Sequence, residues 1–344
     1  MTRDGPPDTF DYFTEKTAPI AECLDICGYN YLLYRVEKDF VTFPERLIAL
    51  TESFPLDAVK VKKAMDKFPR LVGEFVWTGL DYFGETGIGH TADGDGGTSS
   101  LTAFPEHTAN CGDVTITGDR TPQSYYREAA WKPGSVFIVT EAPSQYGKKY
   151  SVSPWGFYRV QRSWNYRETG AETKIFLYST AEICELRLNG KVLGKKKPDD
   201  NGIAEFSVNY QPGKLEATAY TNGQVSGNDV IETTGKPVRI EIEPDLTGIT
   251  GEADVIFAGI TLKDSEGRTV PDSDKEITVT CENAKIIGIG NGNNASEYDY
   301  TGNTCKTYKG RLLCALIPNK KSDIVTIKAI SEDNCSSMLS IKLR

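Results

Sequence analysis

Glu52 lies in the stretch RLIALTESFP (46–55), where Leu47, Ile48, Ala49 and Leu50 give way to Thr51-Glu52-Ser53 and a Phe54-Pro55 pair. A carboxylate at the end of a core strand has two readings. In one, the strand stops at polar residues and Glu52 is merely solvated, as most carboxylates are. In the other, the carboxylate is a reagent. The chain holds two histidines, His90 and His107, and Ser-His or Cys-His machinery needs one of them as a base. His-rich metal sites lose ground for the same reason. The eight cysteines (Cys23, Cys27, Cys111, Cys184, Cys281, Cys305, Cys314, Cys335) include no CxxC pair, which argues against structural zinc. The chemistry left is carboxylate chemistry.

A reactive carboxylate needs a frame. LDICGYNYL (24–32) reads as a strand, followed by a short polar stretch to Pro44. RLIALT (46–51) is the next strand, and LDAVKVKKAMDKFP (56–69) has the apolar spacing of a helix. RLVGEFVW (70–77) is a third strand, and residues 78–120 form a loop rich in Gly, Asp and Thr. TPQSYYREAAW (121–131) closes the section as a helix, with Thr121 as its cap and Pro122 in its first turn. Strands separated by helices imply parallel β/α units. In a β/α barrel the C-terminal strand ends face the active site. Glu52 takes that position, with Asn30 and Tyr31 after the preceding strand and Trp77 after the following one. An indole can stack on a pyranose face, amide and phenol can bind hydroxyls, and a carboxylate can attack an anomeric carbon. Glu74, in mid-strand, reads as structural.

From about residue 135 the pattern changes to short alternating runs split by turn residues: SVFIVTEA, KIFLYS, CELRLNGKVLG, AEFSVNY and LEATAYTNG. Asn189-Gly190 is a strong hairpin signal. TTGKP (233–237) reads as a linker, and VRIEIEP, DVIFAGITLKD, EITVTCEN, AKIIGIG and DIVTIKAIS repeat the β pattern. Two successive β-sandwiches fit these stretches. The predicted division is 1–134, 135–236 and 237–344.

Several local patterns carry less than they suggest. GIGNGN (288–293) lies among strands with no helix after it, so it reads as a turn rather than a nucleotide loop. DGDGG (93–97) hints at calcium, but an EF-hand loop opening at Asp93 needs an acid where Phe104 stands. Asn294-Ala295-Ser296 is a sequon that matters only on a eukaryotic secretory route. Lys195-Lys196-Lys197 reads as a solvated hairpin face. Cys23 and Cys27 read as core thiols, and a Cys305–Cys314 pairing is a candidate. The formal net charge of −9 argues against nucleic acid as a partner. The sequence has no apolar run of membrane-spanning length, and MTRDGPPDTF lacks the apolar core of a secretory signal. Localisation is unassigned.

ICGYNYL, ALTESFP and VGEFVWTGLDYFGETGIG resemble the final barrel strands of glycoside hydrolase family 2, the β-galactosidase and β-glucuronidase group. The resemblance continues through CGDVTITGDRTPQSYYREAAW, SPWGFY, RSWNY, ELRLNGKVLG, KPVRIEIEPD and IIGIGNGN. It is most specific over residues 26–85, and strongest to multidomain Bacteroides β-galactosidase-like members, which are often periplasmic or secreted. It implies the C-terminal part of a (β/α)8 TIM barrel followed by two immunoglobulin-like β-sandwiches. By the same resemblance Glu52 is the nucleophile of a retaining glycosidase, Tyr31 hydrogen-bonds it, and Asn30 lies beside them. Trp77 floors the sugar site and Asp81 belongs to it as a loop-shaping residue. The substrate class is an oligosaccharide or β-glycoside, with no cofactor or metal.

The family acid/base is the Glu of an Asn-Glu pair on an earlier strand, and this sequence contains no Asn-Glu dipeptide. The resemblance therefore implies an acid/base outside this chain. Asp81 and Glu85 are conceivable substitutes. A missing N-terminal half or a second copy is the expected cover for the open barrel edge. The competing reading is a non-catalytic carbohydrate-binding or spacer module built on the two sandwiches. An exposed platform at Trp155 or Trp164 favours that module, and their burial at a domain contact favours the enzyme.

Overall fold

The computed structural model describes residues 11–98, 101–245, 255–319 and 321–343. The N-terminal stretch MTRDGPPDTF, read above for a secretory signal, lies outside them. Among the described residues, no helix is long and apolar enough to cross a membrane.

The first region alternates helix and strand: α1 (Tyr12–Ala21), β1 (Cys27–Asn30), α2 (Val36–Thr42), β2 (Ile48–Ser53), α3 (Ala58–Lys67) and β3 (Leu71–Val76). The three strands form one parallel sheet in the order β1-β2-β3. Parallel neighbours need a crossover, which α2 and α3 supply. The segment expected to be a short polar stretch before Pro44 is in fact helical in α2. Its polar residues hide an inward face: Val36 is buried, and Arg35 and Asp39 are an ion pair at 3.0 Å, both 1 % exposed. In α3, Ala58, Val59 and Val61 point inward while Lys60, Lys63 and Lys67 are solvated. Ile48, Leu50, Val61 and Leu71 share a core with Cys27 and Tyr29. Each such aliphatic side chain contributes about 1.5–3 kcal/mol by leaving water, which anchors the strand carrying Glu52.

β4 (Thr91–Asp93) is a short strand in the long loop, and α4 (Pro122–Trp131) follows. Thr121 sits at the N-cap of α4 but does not cap it with its side chain. Its hydroxyl instead donates to the carbonyls of Gly112 and Asp113.

The rest is β. β5 (Phe137–Thr140), β6 (Tyr150–Val152), β7 (Glu172–Tyr178), β8 (Ile183–Leu188), β9 (Lys191–Lys196), β10 (Ile203–Asn209), β11 (Lys214–Thr221) and β12 (Gln224–Glu232) come first. Apart from β6, which pairs with β4, they form sheets β10-β7-β5 and β12-β11-β8-β9. The inward residues of the two sheets make one core around Trp164, Leu177, Leu186 and Phe206. Asn189 and Gly190 both adopt positive φ, at 51° and 78°, the requirement of a two-residue hairpin turn between β8 and β9.

Then follow β13 (Arg239–Asp245), β14 (Ile256–Lys263), β15 (Glu276–Glu282), β16 (Ala284–Gly290), β17 (Thr304–Lys306), β18 (Arg311–Pro318), β19 (Ile324–Ser331) and β20 (Ser336–Lys342). Sheets β13-β14-β18-β16 and β17-β15-β19-β20 enclose a separate core. β18 reads in–out along its length because one face is solvated. GIGNGN is the end of β16 and a turn held by the Asn291 and Asn293 side chains.

All eight cysteines are free thiols, so Cys305 and Cys314 are not bonded to each other. Both are buried among the apolar residues of the last core instead. Cys27 is buried as expected, whereas Cys23 is exposed, one residue past the C-cap of α1.

The first region and the sandwich after it share a core. Ala58 and Val59 of α3, Tyr126 and Ala129 of α4, and Val139, Phe157 and Tyr178 pack together. The last sandwich touches the first region through His107, whose Nε2 lies 2.6 Å from the Tyr300 hydroxyl, and through an Arg311–Asp119 pair at 3.4 Å.

Candidate active site

β1 and β2 run in register at their C-terminal ends. Asn30 is opposite Glu52, and the Tyr31 N–H donates to the Glu52 carbonyl at 2.8 Å. The Trp77 N–H likewise donates to the Ser53 carbonyl at 3.0 Å. Asn30, Tyr31, Glu52 and Trp77 therefore stand on three adjacent strand ends.

Tyr31 is held hard. Its backbone has φ 58°, a left-handed conformation that costs a side-chain-bearing residue on the order of 1–3 kcal/mol. Its ring stacks on Phe54 with centroids 4.3 Å apart, and the edge of Trp155 closes the other side. The Trp155 indole N–H donates to the Tyr31 oxygen at 2.8 Å. An indole is a donor only, so that oxygen accepts and the phenol keeps its own proton to give. Burial pushes the Tyr31 hydroxyl well above its ordinary pKa. The Trp155 N–H opposes this and the adjacent Glu52 carboxylate adds to it. The phenol is thus a protonated donor beside a carboxylate.

Asn30 is exposed and accepts from the Thr51 hydroxyl at 2.6 Å, which orients its amide. Trp77 donates its indole N–H to the Tyr82 hydroxyl at 3.0 Å, and that hydroxyl donates in turn to Glu85. Burial, then Glu85, raise the Tyr82 hydroxyl. Trp77, Tyr82 and Trp155 pack on a small core of Ile88, Ala109 and Cys111, where burial lifts the Cys111 thiol to about 12.

Asp81 accepts the backbone N–H of Cys111 at 3.2 Å, and its own N–H donates to the Val114 carbonyl. Gly112 permits this approach, since a Cβ there would stand 2.4 Å from the Asp81 nitrogen. One Asp81 carboxylate oxygen thus holds Cys111, and one Glu85 oxygen takes the Tyr82 hydroxyl.

Under the strand ends lies a buried charge network. The Glu74 side chain is 3 % exposed and receives the Ser53 hydroxyl at 2.5 Å and the Arg127 guanidinium at 3.1 Å. Arg127 also donates to Asp113 at 2.5 Å. Burial alone would lower the Arg127 pKa, but Asp113 and Glu74 outweigh it and hold the cation. Glu74 is thus structural, tying β3 to α4 and to the residue after Glu52.

Sequence reasoning did not place Trp155, Phe54, Tyr82 or Arg127 in this arrangement. Phe54 and Tyr82 lie within ALTESFP and VGEFVWTGLDYFGETGIG, but without a role assigned there. Trp155 arrives from more than a hundred residues away, which no local signal reports. The carboxylates of DGDGG pair with cations, Asp93 with Arg159 and Asp95 with Lys149. Among the described residues no three His, Cys, Asp or Glu side chains gather as a metal ion would need.

Comparison with known proteins places this geometry. The profile of Glycoside hydrolase family 2 C-terminal domain 5 matches residues 240–340, and that of a domain of unknown function (DUF4982) matches residues 170–227. A glycosyl hydrolase family 2 member from Bacteroides cellulosilyticus superposes with TM-score 0.85 at 30% identity, over 97% of this chain and 44% of that one. Beta-galactosidase BoGH2A of Bacteroides ovatus is 27% identical over 273 residues, 78% of this chain and 28% of the relative. A putative beta-glucuronidase of Formosa agariphila is 25% identical over 288 residues, 81% of this chain and 25% of the relative. The chain is similar to the C-terminal portions of glycoside hydrolase family 2 proteins. It spans about a quarter of the length of these two curated relatives and under half of that solved chain.

Proposed function

We propose that residues 1–134 are the C-terminal part of a (β/α)8 catalytic barrel, with immunoglobulin-like sandwiches over 135–236 and 237–344, and that Glu52 is the nucleophile of a retaining β-glycosidase. The supporting observation is the Tyr31 phenol, fixed by Phe54 and Trp155 so that its proton is free for the Glu52 carboxylate. In this reading the Glu52 carboxylate attacks the anomeric carbon as the glycosidic C–O bond breaks. The departing oxygen takes a proton from an acid outside this chain. Water then hydrolyses the glycosyl ester, its proton returning to that same acid/base. Trp77 lies under the sugar, and Asn30 binds a ring hydroxyl.

The reading as a carbohydrate-binding module loses its platforms. Trp164 is fully buried in the sandwich core, and Trp155 is half-buried against Tyr31 and Phe54.

The test is hydrolysis of aryl β-galactosides and β-glucuronides by this chain alone and by the chain joined to the first barrel strands of a family member. The chain alone is expected to be silent, because two carboxyl groups about 5–5.5 Å apart are needed. In the joined enzyme, Glu52→Gln is expected to lower turnover by about 10⁴–10⁶-fold, and a 2-fluoroglycoside is expected to label Glu52. Near-normal turnover in Glu52→Gln would remove the assignment.

A further inference from the structure

A cleft of about 810 Å³ opens where the three regions meet. One wall is the loop 115–121 and the start of α4, a second comes from residues 161–164 and 230–234, and the third from 268–271 and 308–311. Glu52, Tyr31 and Trp77 do not line it. Its volume falls within the roughly 300–1,000 Å³ of sites that enclose a small ligand. The lining hydroxyls and amides (Thr115, Gln161, Ser163, Thr234, Thr269) suit a polyhydroxylated molecule.

The cations decide what kind. Five of them, Arg120, Arg162, Arg268, Lys309 and Arg311, line the cleft of a chain whose net charge is −9. Two are spent as braces. Arg162 grips both oxygens of Asp229 at 2.6 Å, and Arg268 is taken up by Asp264 and Glu232. The other three keep donors to spare. Arg120 uses Nε on Ser124 and Nη2 on Glu128, leaving Nη1 without a partner among the described residues. Glu128 is also held by Lys132 at 2.7 Å, so Arg120 is not neutralised by it alone. Among the described residues the Arg311 guanidinium makes only long polar contacts, 3.4 Å to Asp119 and 3.5 Å to Thr269. Lys309 is exposed, has no ion pair among the described residues, and lies over the Tyr308 ring.

The backbone that carries two of these is a tight turn. Lys309 and Gly310 have φ 53° and 74°, a tight turn closed by reciprocal hydrogen bonds between Tyr308 and Arg311, so Lys309 and Arg311 stand two residues apart on one hairpin tip. Arg120 rests on the Tyr125 ring at 4.0 Å. Guanidinium forks match carboxylate and sulfate oxygens.

We propose that this cleft binds a short anionic oligosaccharide through Arg120, Lys309 and Arg311, with the sugar hydroxyls on the surrounding Thr, Ser and Gln side chains. Carboxylate and sulfate ester supply the same chemistry, and either satisfies the site.

The experiment is calorimetric titration of the full chain with tetragalacturonate, a sulfated galactan tetrasaccharide and neutral galactotetraose, in low and high salt. At least one acidic tetrasaccharide is expected to bind tenfold or more tightly than the neutral one, and to weaken with salt. The acid that binds identifies the source of the charge. Lys309→Glu and Arg311→Ala are each expected to weaken that binding at least tenfold at an unchanged melting temperature. Glu52→Gln is expected to bind as the unsubstituted chain does, which separates this site from the proposed catalytic one. Equal affinity for the acidic and neutral sugars, binding by neither acid, or full binding by Lys309→Glu would overturn the proposal.

Discussion

The sheet β1-β2-β3 and the final sandwich bury their apolar residues in different ways. In the sandwich, Leu312, Cys314 and Leu316 of β18 face Val325, Ile327 and Ala329 of β19 across a closed interior. Its exposed apolar residues, such as Ile317, lie on the outer face of strands whose inner face is covered. In the parallel sheet, helix residues such as Val61 pack with Cys27, Ile48, Leu50 and Leu71. Ile26 before β1, and Val72 and Phe75 of β3, remain open at 49 %, 47 % and 64 %, and β1 and β3 are both edges. A sheet of parallel strands is ordinarily covered on both faces. The difference separates a region that holds itself together from one whose stability rests on a few buried interactions.

The largest effect expected from that contrast is at Arg127. Arg127→Ala leaves Glu74 and Asp113 buried without their cation, a loss of about 3–5 kcal/mol. Hydrogen exchange is expected to accelerate in β1–β3 and α4 while the final sandwich keeps its protection. Equal loss in both regions would mean that they unfold as one unit and that the contrast is wrong.

Core truncations sharpen it further. Leu316→Ala is expected to cost about 2–5 kcal/mol in the last sandwich. Phe75→Ser, on the open sheet face, is expected to stay within about 0.5 kcal/mol in this chain. Denaturant unfolding followed by tryptophan fluorescence and far-UV circular dichroism measures both. A large penalty at Phe75 would show that its face is covered after all.

A pH-dependent effect concerns two carboxylates. Burial raises the Asp264 pKa, but the N–H groups of Gly235, Arg268 and Glu266 and the Arg268 guanidinium outweigh it, and the net shift is well below the ordinary value. A depressed carboxylate adds stability above its unfolded pKa of about 4, and that stability is lost as pH falls through the folded value. Asp113 runs the other way: burial raises it against the pull of Arg127, so its ionisation opposes folding as pH rises above about 4. Asp264→Asn is therefore expected to lower the melting temperature by a few degrees at pH 7, about 2–4 °C for each kcal/mol lost. At pH 3 the loss should be smaller. A pH-independent loss would contradict the role given to its charge.

Much of this was legible in the sequence because the signals are local. Alternation gave β7, β8 and β14, Asn189-Gly190 gave its hairpin, and the inward spacing of Ala58, Val59 and Val61 gave α3. The end of β2 put Glu52, Asn30, Tyr31 and Trp77 on neighbouring strand ends. α2 was missed because its inward Asp39 looks solvated until it pairs with Arg35, the residue before the helix. The Cys305–Cys314 pairing was wrong because spacing cannot tell two core thiols from a bridge. Trp155 over Tyr31, and the cleft cations drawn from three regions, depend on contacts between distant segments.

The indole of Trp155 that rests against Tyr31 has a consequence for recombination. Protein engineers often treat tandem β modules as interchangeable beads on a thread. Here the segment between β6 and β7 carries a side chain that sets the direction of a hydrogen bond at the end of β1. A hybrid that takes its sandwich from a relative without an indole at this point would lose that bond while keeping every residue of the strand ends. Restoring the tryptophan in such a hybrid would restore the donor without touching the β1-β2-β3 segment. The unit that a gene fusion must transplant intact runs from β1 to at least residue 155, across what looks in the sequence like a seam.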